Sequence, residues 1–194
     1  MEKLDKVIEI VNGLYAKKNP VIDWNEWILE SHIKVVAFWV EDMSAKYEFN
    51  KEHALAAAYL HDIAYAWTSK NDPILEEKSE ARAKDVLREA GYPDEEITFI
   101  VEKIIHGHGI EDGKEPDNIE AKVLATADAL AHFTTDFYLV ICWRHYLFEG
   151  KTLKEYKDWV LKKIERDFNN KIFFDEYKQI AQPHYEGVKT LFSL

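Results

Sequence analysis

Four residues in this sequence combine side-chain types that can do chemistry together: His32, the adjacent pair His61 and Asp62, and Asp128. Imidazole nitrogens and carboxylate oxygens can exchange protons near neutral pH, and together they can bind a divalent metal ion. A His-Asp pair alone is weak evidence for a functional site, because a chain with eight His can contain such a pair by chance. The argument therefore depends on the segments in which the four residues lie.

Helical spacing places these polar residues on apolar helix faces. His32 lies on a stripe between Ile28 and Val35, and Asp128 shares a face with Leu124. An unpaired charge is costly on a buried face, so these groups need partners. Either they form an internal hydrogen-bond network or they bind a divalent cation. Four such groups on convergent helices favour the cation.

The helices that must position these residues can be predicted from apolar periodicity. Asp23 with Glu26 resembles a capping box at the start of the second helix, and Asn50 is a candidate cap for the third. The predicted helices cover residues 4–15, 24–40, 50–65, 76–90, 94–105 and 119–148, with further helical spacing at 153–160, 173–180 and 188–192.

The whole sequence reads as one all-α domain of about eight to ten helices over residues 1–194. Its 194 residues are enough for a substantial core, 47% of them are apolar, and the seven Gly and five Pro are too few for a turn-rich β protein. No strand-like alternation, repeat or linker is evident. The motif-bearing core covers about residues 25–135, and the C-terminal helices, 151–194, are expected to pack on it.

Charge and composition restrict the partners and the compartment. The chain has 25 Lys and Arg against 36 Asp and Glu, a formal charge of −11 without a basic stripe, which argues against binding polymeric nucleic acid. Its longest uncharged apolar stretch, 137–143, is far below the roughly 18 residues that cross a bilayer. With no signal-peptide pattern at the N-terminus and a single Cys142, we expect a cytoplasmic protein without membrane contact.

The order and local context of the four residues resemble the H…HD…D signature of the HD-domain superfamily of metal-dependent phosphohydrolases. His61 follows His32 by 29 residues, and Asp128 follows Asp62 by 66 residues. The segments 59–63 (YLHDI) and 125–130 (ATADAL) are similar to those of the family, and 89–93 and 104–106 are similar to a subgroup of small stand-alone HD hydrolases.

This resemblance implies an all-helical domain that binds one divalent ion (Mn, Fe, Co, Ni, Zn or Mg) through His32, His61, Asp62 and Asp128. The implied reaction is hydrolysis of a phosphoester or phosphoanhydride by a metal-activated water. The substrate is expected to be a small phosphorylated molecule, with a nucleotide as the expected class. A non-catalytic metal-binding regulatory module and a di-iron oxygenase of the same superfamily are the alternatives. The apolar C-terminal helices leave room for a homodimer interface.

Several positions depart from the family pattern or carry no clear role. Relatives that bind two metals usually have two more histidines between the HD pair and the last Asp. His106 can be one of them, but no histidine stands near Leu75, where the other is expected. A single metal is therefore predicted, unless Glu76 or Glu77 is a ligand. Tyr65 stands three positions after the HD pair, where relatives often have Lys or Glu. Asp62 and His106 are the predicted catalytic residues, His106 as phosphate donor or general acid. A surface, loop or structural role is preferred, or no role is predicted, for His53, Lys70, His108, His132, Arg144, His145 and His184.

Overall fold

The computed structural model describes residues 2–21, 23–69, 72–109, 114–148 and 150–193, without the side chains of 142 and 145–148. Within these ranges the chain is helical and contains no strand, which confirms the all-α prediction. No described helix is both long and apolar enough to span a bilayer. Lys70 and the side chain of His145, two candidates from the sequence, lie outside the described part.

The α-helical segments are numbered in chain order. α2 and α3 are joined by a π-helical turn into one continuous helix, so the described part holds nine separate helices, within the predicted eight to ten. The segments are α1 (Glu2–Tyr15), α2 (Asn25–Ile28), α3 (Lys34–Ser44), α4 (Lys51–Leu60), α5 (Leu75–Glu89), α6 (Asp94–Thr98), α7 (Ile119–Thr134), α8 (Phe137–Phe148), α9 (Leu153–Arg166) and α10 (Asp175–Ser193). Shorter π and 3-10 turns are Leu29–Ile33, Ile63–Ala66, Phe99–Ile105, His106–Gly109 and Asp167–Lys171.

Helix α7 is the centre of the fold, and it is buried on nearly every side. It contacts α3, α4, α8 and α10. Alanines recur along it, and their small side chains let neighbouring helices approach closely all round. Because α7 carries Asp128, this packing takes a carboxylate deep into the protein. Helices α9 and α10, beyond the predicted motif core, pack against α8 and α7.

The long helix predicted over residues 119–148 is broken between α7 and α8. Thr135 has extended backbone angles (φ −121°, ψ −176°), and the hydroxyls of Thr134 and Thr135 donate to carbonyls one turn earlier, at 2.7 Å each. Hydroxyl groups that bond the preceding turn compete with helix continuation. Thr135 Oγ1 also accepts from the Phe137 amide at 3.3 Å, which starts the new helix.

The capping at the second and third helices was predicted with mixed success. Asn50 caps α4 as expected, accepting from the His53 amide at 3.1 Å. The capping box at Asp23 was wrong, because Trp24 is the residue that precedes α2 and makes no side-chain cap. Asn25 instead donates to the carbonyls of Lys17 and Ala66, at 2.7 and 3.0 Å, and ties the start of α2 to two loops.

Candidate metal centre and adjoining cavity

Three separate segments deliver the four predicted ligands to one place. His32 lies in the π-helical turn Leu29–Ile33, a local widening of the helix of a kind that is frequent at functional sites. His61 ends α4 and Asp62 follows it with non-helical backbone angles (φ −113°, ψ 20°). Asp128 lies within α7. Residues up to 96 positions apart in sequence therefore meet at one centre.

The donor atoms of these four residues face one another. His32 Nε2 lies 3.2 Å from His61 Nε2, 3.2 Å from Asp62 Oδ2 and 3.6 Å from Asp128 Oδ1. His61 Nε2 is 3.5 Å from Asp62 Oδ2 and 3.9 Å from Asp128 Oδ1. Ligand atoms of His32, His61 and Asp128 all lie within 4.8 Å of one another, so this buried group could hold a metal ion.

Proton positions around His61 test whether a cation fits this cluster. Its Nδ1 lies 2.9 Å from the Ala58 carbonyl oxygen, which can only accept, so Nδ1 carries the proton. Nε2 of the neutral ring then presents a lone pair to the cluster, where ionised carboxylate oxygens also offer only lone pairs. His32 Nδ1 is buried without a partner among the described residues, so that ring makes its polar contacts through Nε2. Such a set of facing acceptors fits a divalent cation, and the Nδ1 contact is the outer hydrogen bond usual for a metal-binding histidine.

Both carboxylates of the cluster are held in the ionised form. Burial raises the pKa of Asp62, but the nearby His61 and His32 lower it more strongly, so it stays below its usual value. Burial likewise raises the pKa of Asp128, and His132 and Lys171 outweigh that effect. Negative charge is therefore available for a cation near neutral pH.

Two residues outside the predicted ligand set contact Asp128. The Lys171 ammonium, 4% exposed, donates to Asp128 Oδ2 at 2.8 Å, and His132 Nε2 lies 3.3 Å from Oδ1. Neither contact was predicted from the sequence. The spacing of four between Asp128 and His132 places them on one helix face and could have indicated the second contact. No pattern marked Lys171, which the turn Asp167–Lys171 brings to the site.

A fully buried carboxylate, Asp167, organises the next layer of charge. Its Oδ2 accepts from Lys163 at 2.7 Å and from the Tyr138 hydroxyl at 3.3 Å, and lies 3.1 Å from His132 Nδ1. Its Oδ1 accepts two bonds from the Arg166 guanidinium, at 3.2 Å each. Burial raises the pKa of Asp167, but Lys163 and His132 lower it more, whereas burial lowers the pKa of His132 to about 4. His132 therefore lies between the two carboxylates, with Nδ1 facing Asp167 and Nε2 facing Asp128.

A cavity of about 430 Å³ adjoins the cluster. This size is within the range of small-molecule sites, roughly 300–1,000 Å³. Its wall combines the four predicted ligands, two further histidines, three basic residues of α9 and an apolar, mostly aromatic surface. The lining residues are Trp24, Ile28, His32, His61, Asp62, Tyr65, His108, Asp128, His132, Phe137, Ile141, Trp159, Lys162, Lys163 and Arg166.

The structure brings His108, and not His106, to this cavity. The His106 side chain is 71% exposed, and its Nδ1 lies 2.9 Å from Glu80 Oε1 on α5. The His108 ring lies 5.3 Å from the His61 ring, and its Nδ1 donates to the Ile105 carbonyl. Residues two apart in a 3-10 turn point to different sides, so only one of the two can face the site. Burial, with Lys171 nearby, lowers the pKa of His108 to about 3 and keeps it neutral.

The other candidates from the sequence are distributed as follows. Tyr65 lines the cavity, with its ring edge-to-face to Trp24 at 5.2 Å. Arg144 does not line it and lies over the Trp24 ring at 5.4 Å. Glu76 and Glu77, considered as substitute oxygen ligands, are exposed in the first turn of α5 and outside the cavity wall. Among the described residues there is thus one cluster that could hold a metal ion.

Comparison with known proteins agrees with the geometry. A family model described as HD domain matches residues 29–132, more than half of the chain. No curated protein and no solved structure gives a significant match. The matched range contains His32, His61, Asp62 and Asp128, and HD domains bind divalent metals in a superfamily of metal-dependent phosphohydrolases. The chain therefore belongs to the HD domain family.

Proposed function

We propose that this protein is a metal-dependent phosphohydrolase that cleaves a phosphoester or phosphoanhydride of a small molecule, with a nucleotide as the expected substrate. The observation that carries the proposal is the meeting of two imidazoles and two carboxylates beside a cavity that also holds basic side chains. His32, His61, Asp62 and Asp128 would hold the ion. When bound, a divalent cation supplies Lewis-acid activation of water and of phosphoryl oxygens.

Within this site, Asp62 and Asp128 have different environments and therefore different roles. The side chain of Asp62 is 30% exposed, whereas that of Asp128 is 6% exposed and held from behind by Lys171. Asp62 can accept a hydrogen bond from a water in the cavity and orient it, which supports its predicted catalytic role. Asp128 is restrained to offer Oδ1 to the cluster and Oδ2 to Lys171.

A single cation suits the charges around Asp128 better than two. The Lys171 ammonium already occupies Oδ2, so a second divalent ion bound there would lie against a like charge. Neither Glu76 nor Glu77 faces the cavity to supply further oxygen ligands. These contacts support hydrolysis over di-iron oxygenation.

Metal analysis combined with a substrate screen tests the proposal. Protein purified without chelator should contain about one divalent ion per chain, and phosphomonoesters or nucleotides should be hydrolysed with at least one added divalent metal. Asp62→Ala should lose bound metal and at least about 100-fold of turnover, since losing even outer-shell contacts of a metal costs about 10–100-fold. Asp85→Ala, an exposed position on α5, is the matched control and should behave as wild type.

The alternatives give different results in the same experiment. Two iron atoms per chain with oxygen consumption would favour the oxygenase. Tight metal binding without turnover on any substrate would favour a non-catalytic module, for which Tyr65 in place of the usual Lys or Glu is the motivating feature. Full metal occupancy in Asp62→Ala would contradict the ligand assignment.

A further inference from the structure

Helix α9 presents one basic and aromatic face to the cavity. Trp159, Lys162, Lys163 and Arg166 follow the helical spacing i, i+3, i+4, i+7, and all four line the cavity. This face lies outside residues 29–132, the range that the HD family model matches. The family core thus provides the metal-binding cluster, and a later helix provides the cations beside it.

The charge of the cavity is opposite in sign to that of the protein. Its lining carries three cations, Lys162, Lys163 and Arg166, against the two carboxylates of Asp62 and Asp128. Behind the wall, Lys171 and Asp167 cancel each other in formal charge. Counting only these ionic side chains, the lining of the cavity has a formal charge of about +1 in a chain of −11, and a divalent ion would add two more. A local surplus of positive charge favours the binding of anions in this cavity.

Two of the three cations of α9, Lys163 and Arg166, are held in place before any ligand binds. The Lys163 side chain is 10% exposed, and Asp167 accepts from its Nζ at 2.7 Å. Arg166 uses Nε and Nη2 for Asp167 and is 48% exposed, so further N–H donors of its five remain for another acceptor. Lys163 also lies 3.3 Å from His132, which in turn contacts Asp128, so this face adjoins the metal cluster.

We propose that the α9 face of Lys162, Lys163 and Arg166 is an anion subsite that binds the phosphoryl oxygens of a phosphomonoester dianion. This inference rests on the proposed function. A phosphomonoester carries nearly two negative charges at neutral pH, because its second pKa is about 6, and a diester carries one. The dianion better matches a metal-loaded cavity with a surplus of about three positive charges. The adjoining Trp24, Phe137 and Trp159 rings offer an apolar wall to the organic part.

Binding of inorganic phosphate to the metal-loaded protein tests the subsite without requiring turnover. Arg166→Gln combined with Lys162→Gln removes two charges at exposed positions and keeps the pair of Lys163 with Asp167, while Asp167 Oδ1 loses its two bonds from the Arg166 guanidinium. We expect the phosphate dissociation constant, measured by calorimetry at pH 8, to rise at least tenfold, with unchanged metal content and circular dichroism. Lys157 lies on the opposite face of α9, so Lys157→Gln should leave the phosphate dissociation constant within twofold of wild type. A double variant that binds phosphate within twofold of wild type would overturn the subsite.

A comparison of ligands and a kinetic measurement complete the test. Dimethyl phosphate, a monoanionic diester, should bind at least tenfold more weakly than phosphate, and equal affinity would overturn the choice of a phosphomonoester. If wild type hydrolyses phosphomonoesters and the double variant keeps its KM and phosphate affinity, the subsite fails while the hydrolase stands. If nothing is hydrolysed but the double variant loses phosphate affinity, the proposed function fails and the subsite stands.

Discussion

Replacing Lys171 with methionine should destabilise the metal-free protein strongly and the metal-loaded protein much less. In the metal-free protein, Lys171 is the ammonium group bonded directly to Asp128, at 2.8 Å, and both residues are 4% exposed. Methionine keeps the apolar stem but removes the charge. Asp128 would then remain as a buried carboxylate, with its contact to His132 as partial compensation. A bound divalent ion would take over the missing positive charge.

The size of the effect follows from the burial of the pair. Removing one partner of a buried ion pair costs about 3–5 kcal/mol, and the remaining His132 contact favours the lower end. For a chain of this length, 1 kcal/mol corresponds to about 2–4 °C in Tm, so we expect a fall of roughly 6–15 °C. Saturating metal should restore at least about half of that difference.

Thermal unfolding followed by circular dichroism, with and without a divalent ion, measures both effects. Lys84→Met removes a more exposed cation from its pair with Glu102, at 3.0 Å, and should cost no more than about 1 kcal/mol in either condition. Equal losses of Tm for Lys171→Met with and without metal would refute the reasoning, because Asp128 would then not be shared between the ammonium and the ion. A loss no larger than that of Lys84→Met would refute it as well.

Two further predictions concern the histidine turn and the buried carboxylate behind the cavity. His106→Ala should leave metal content and kcat/KM within about twofold of wild type. His108→Ala should lower kcat/KM at least about tenfold, because His108 lines the cavity and a positioned acid–base group contributes about 10²–10⁴-fold. The reverse order would restore the role first assigned to His106. Burial raises the pKa of Asp167, but Lys163 lowers it by more, so the pKa in the folded protein is below the usual Asp value of about 3.9. Ionised Asp167 therefore stabilises the fold at pH values above about 3.9, and this contribution is lost as the pH falls below that value. Asp167→Asn should therefore flatten the acid limb of a plot of unfolding free energy against pH, and an unchanged limb would count against this assignment.

The metal cluster could be predicted from sequence because its residues interrupt otherwise regular patterns. His32 and Asp128 are polar residues on apolar helix faces, and a buried polar group requires a partner whatever the fold. The third helix was predicted to run past the HD pair to Tyr65, whereas α4 ends at Leu60, so the position of the pair near the helix terminus was predicted only approximately. Periodicity and burial cost marked these positions, and the resemblance to the HD-domain signature joined them into one candidate site.

Other features depend on geometry that periodicity does not encode. The choice between His106 and His108 is made by a 3-10 turn, whose three-residue period differs from the helix before it. The break before α8 depends on the hydroxyl groups of Thr134 and Thr135, which donate hydrogen bonds to carbonyls of the preceding turn. The apolar pattern of the sequence does not indicate these hydrogen bonds. The role of Lys171 could not be predicted, because nothing in the sequence around a single lysine indicates that its ammonium group will be buried against a carboxylate.

The division of the site between two parts of the chain has a physical reason. The candidate ligands after α4 and on α7 would have to keep fixed positions around an ion, and these helices are packed on several sides within the core. The cations of α9 face the cavity from a peripheral helix, where side chains can change without disturbing that core. Asp167 connects the two parts, since it holds Lys163 and Arg166 on one side and His132, a neighbour of Asp128, on the other. Substitutions on the cavity face of α9 can therefore alter which anion is bound while the metal cluster is maintained, which makes this helix the place to look for substrate selectivity.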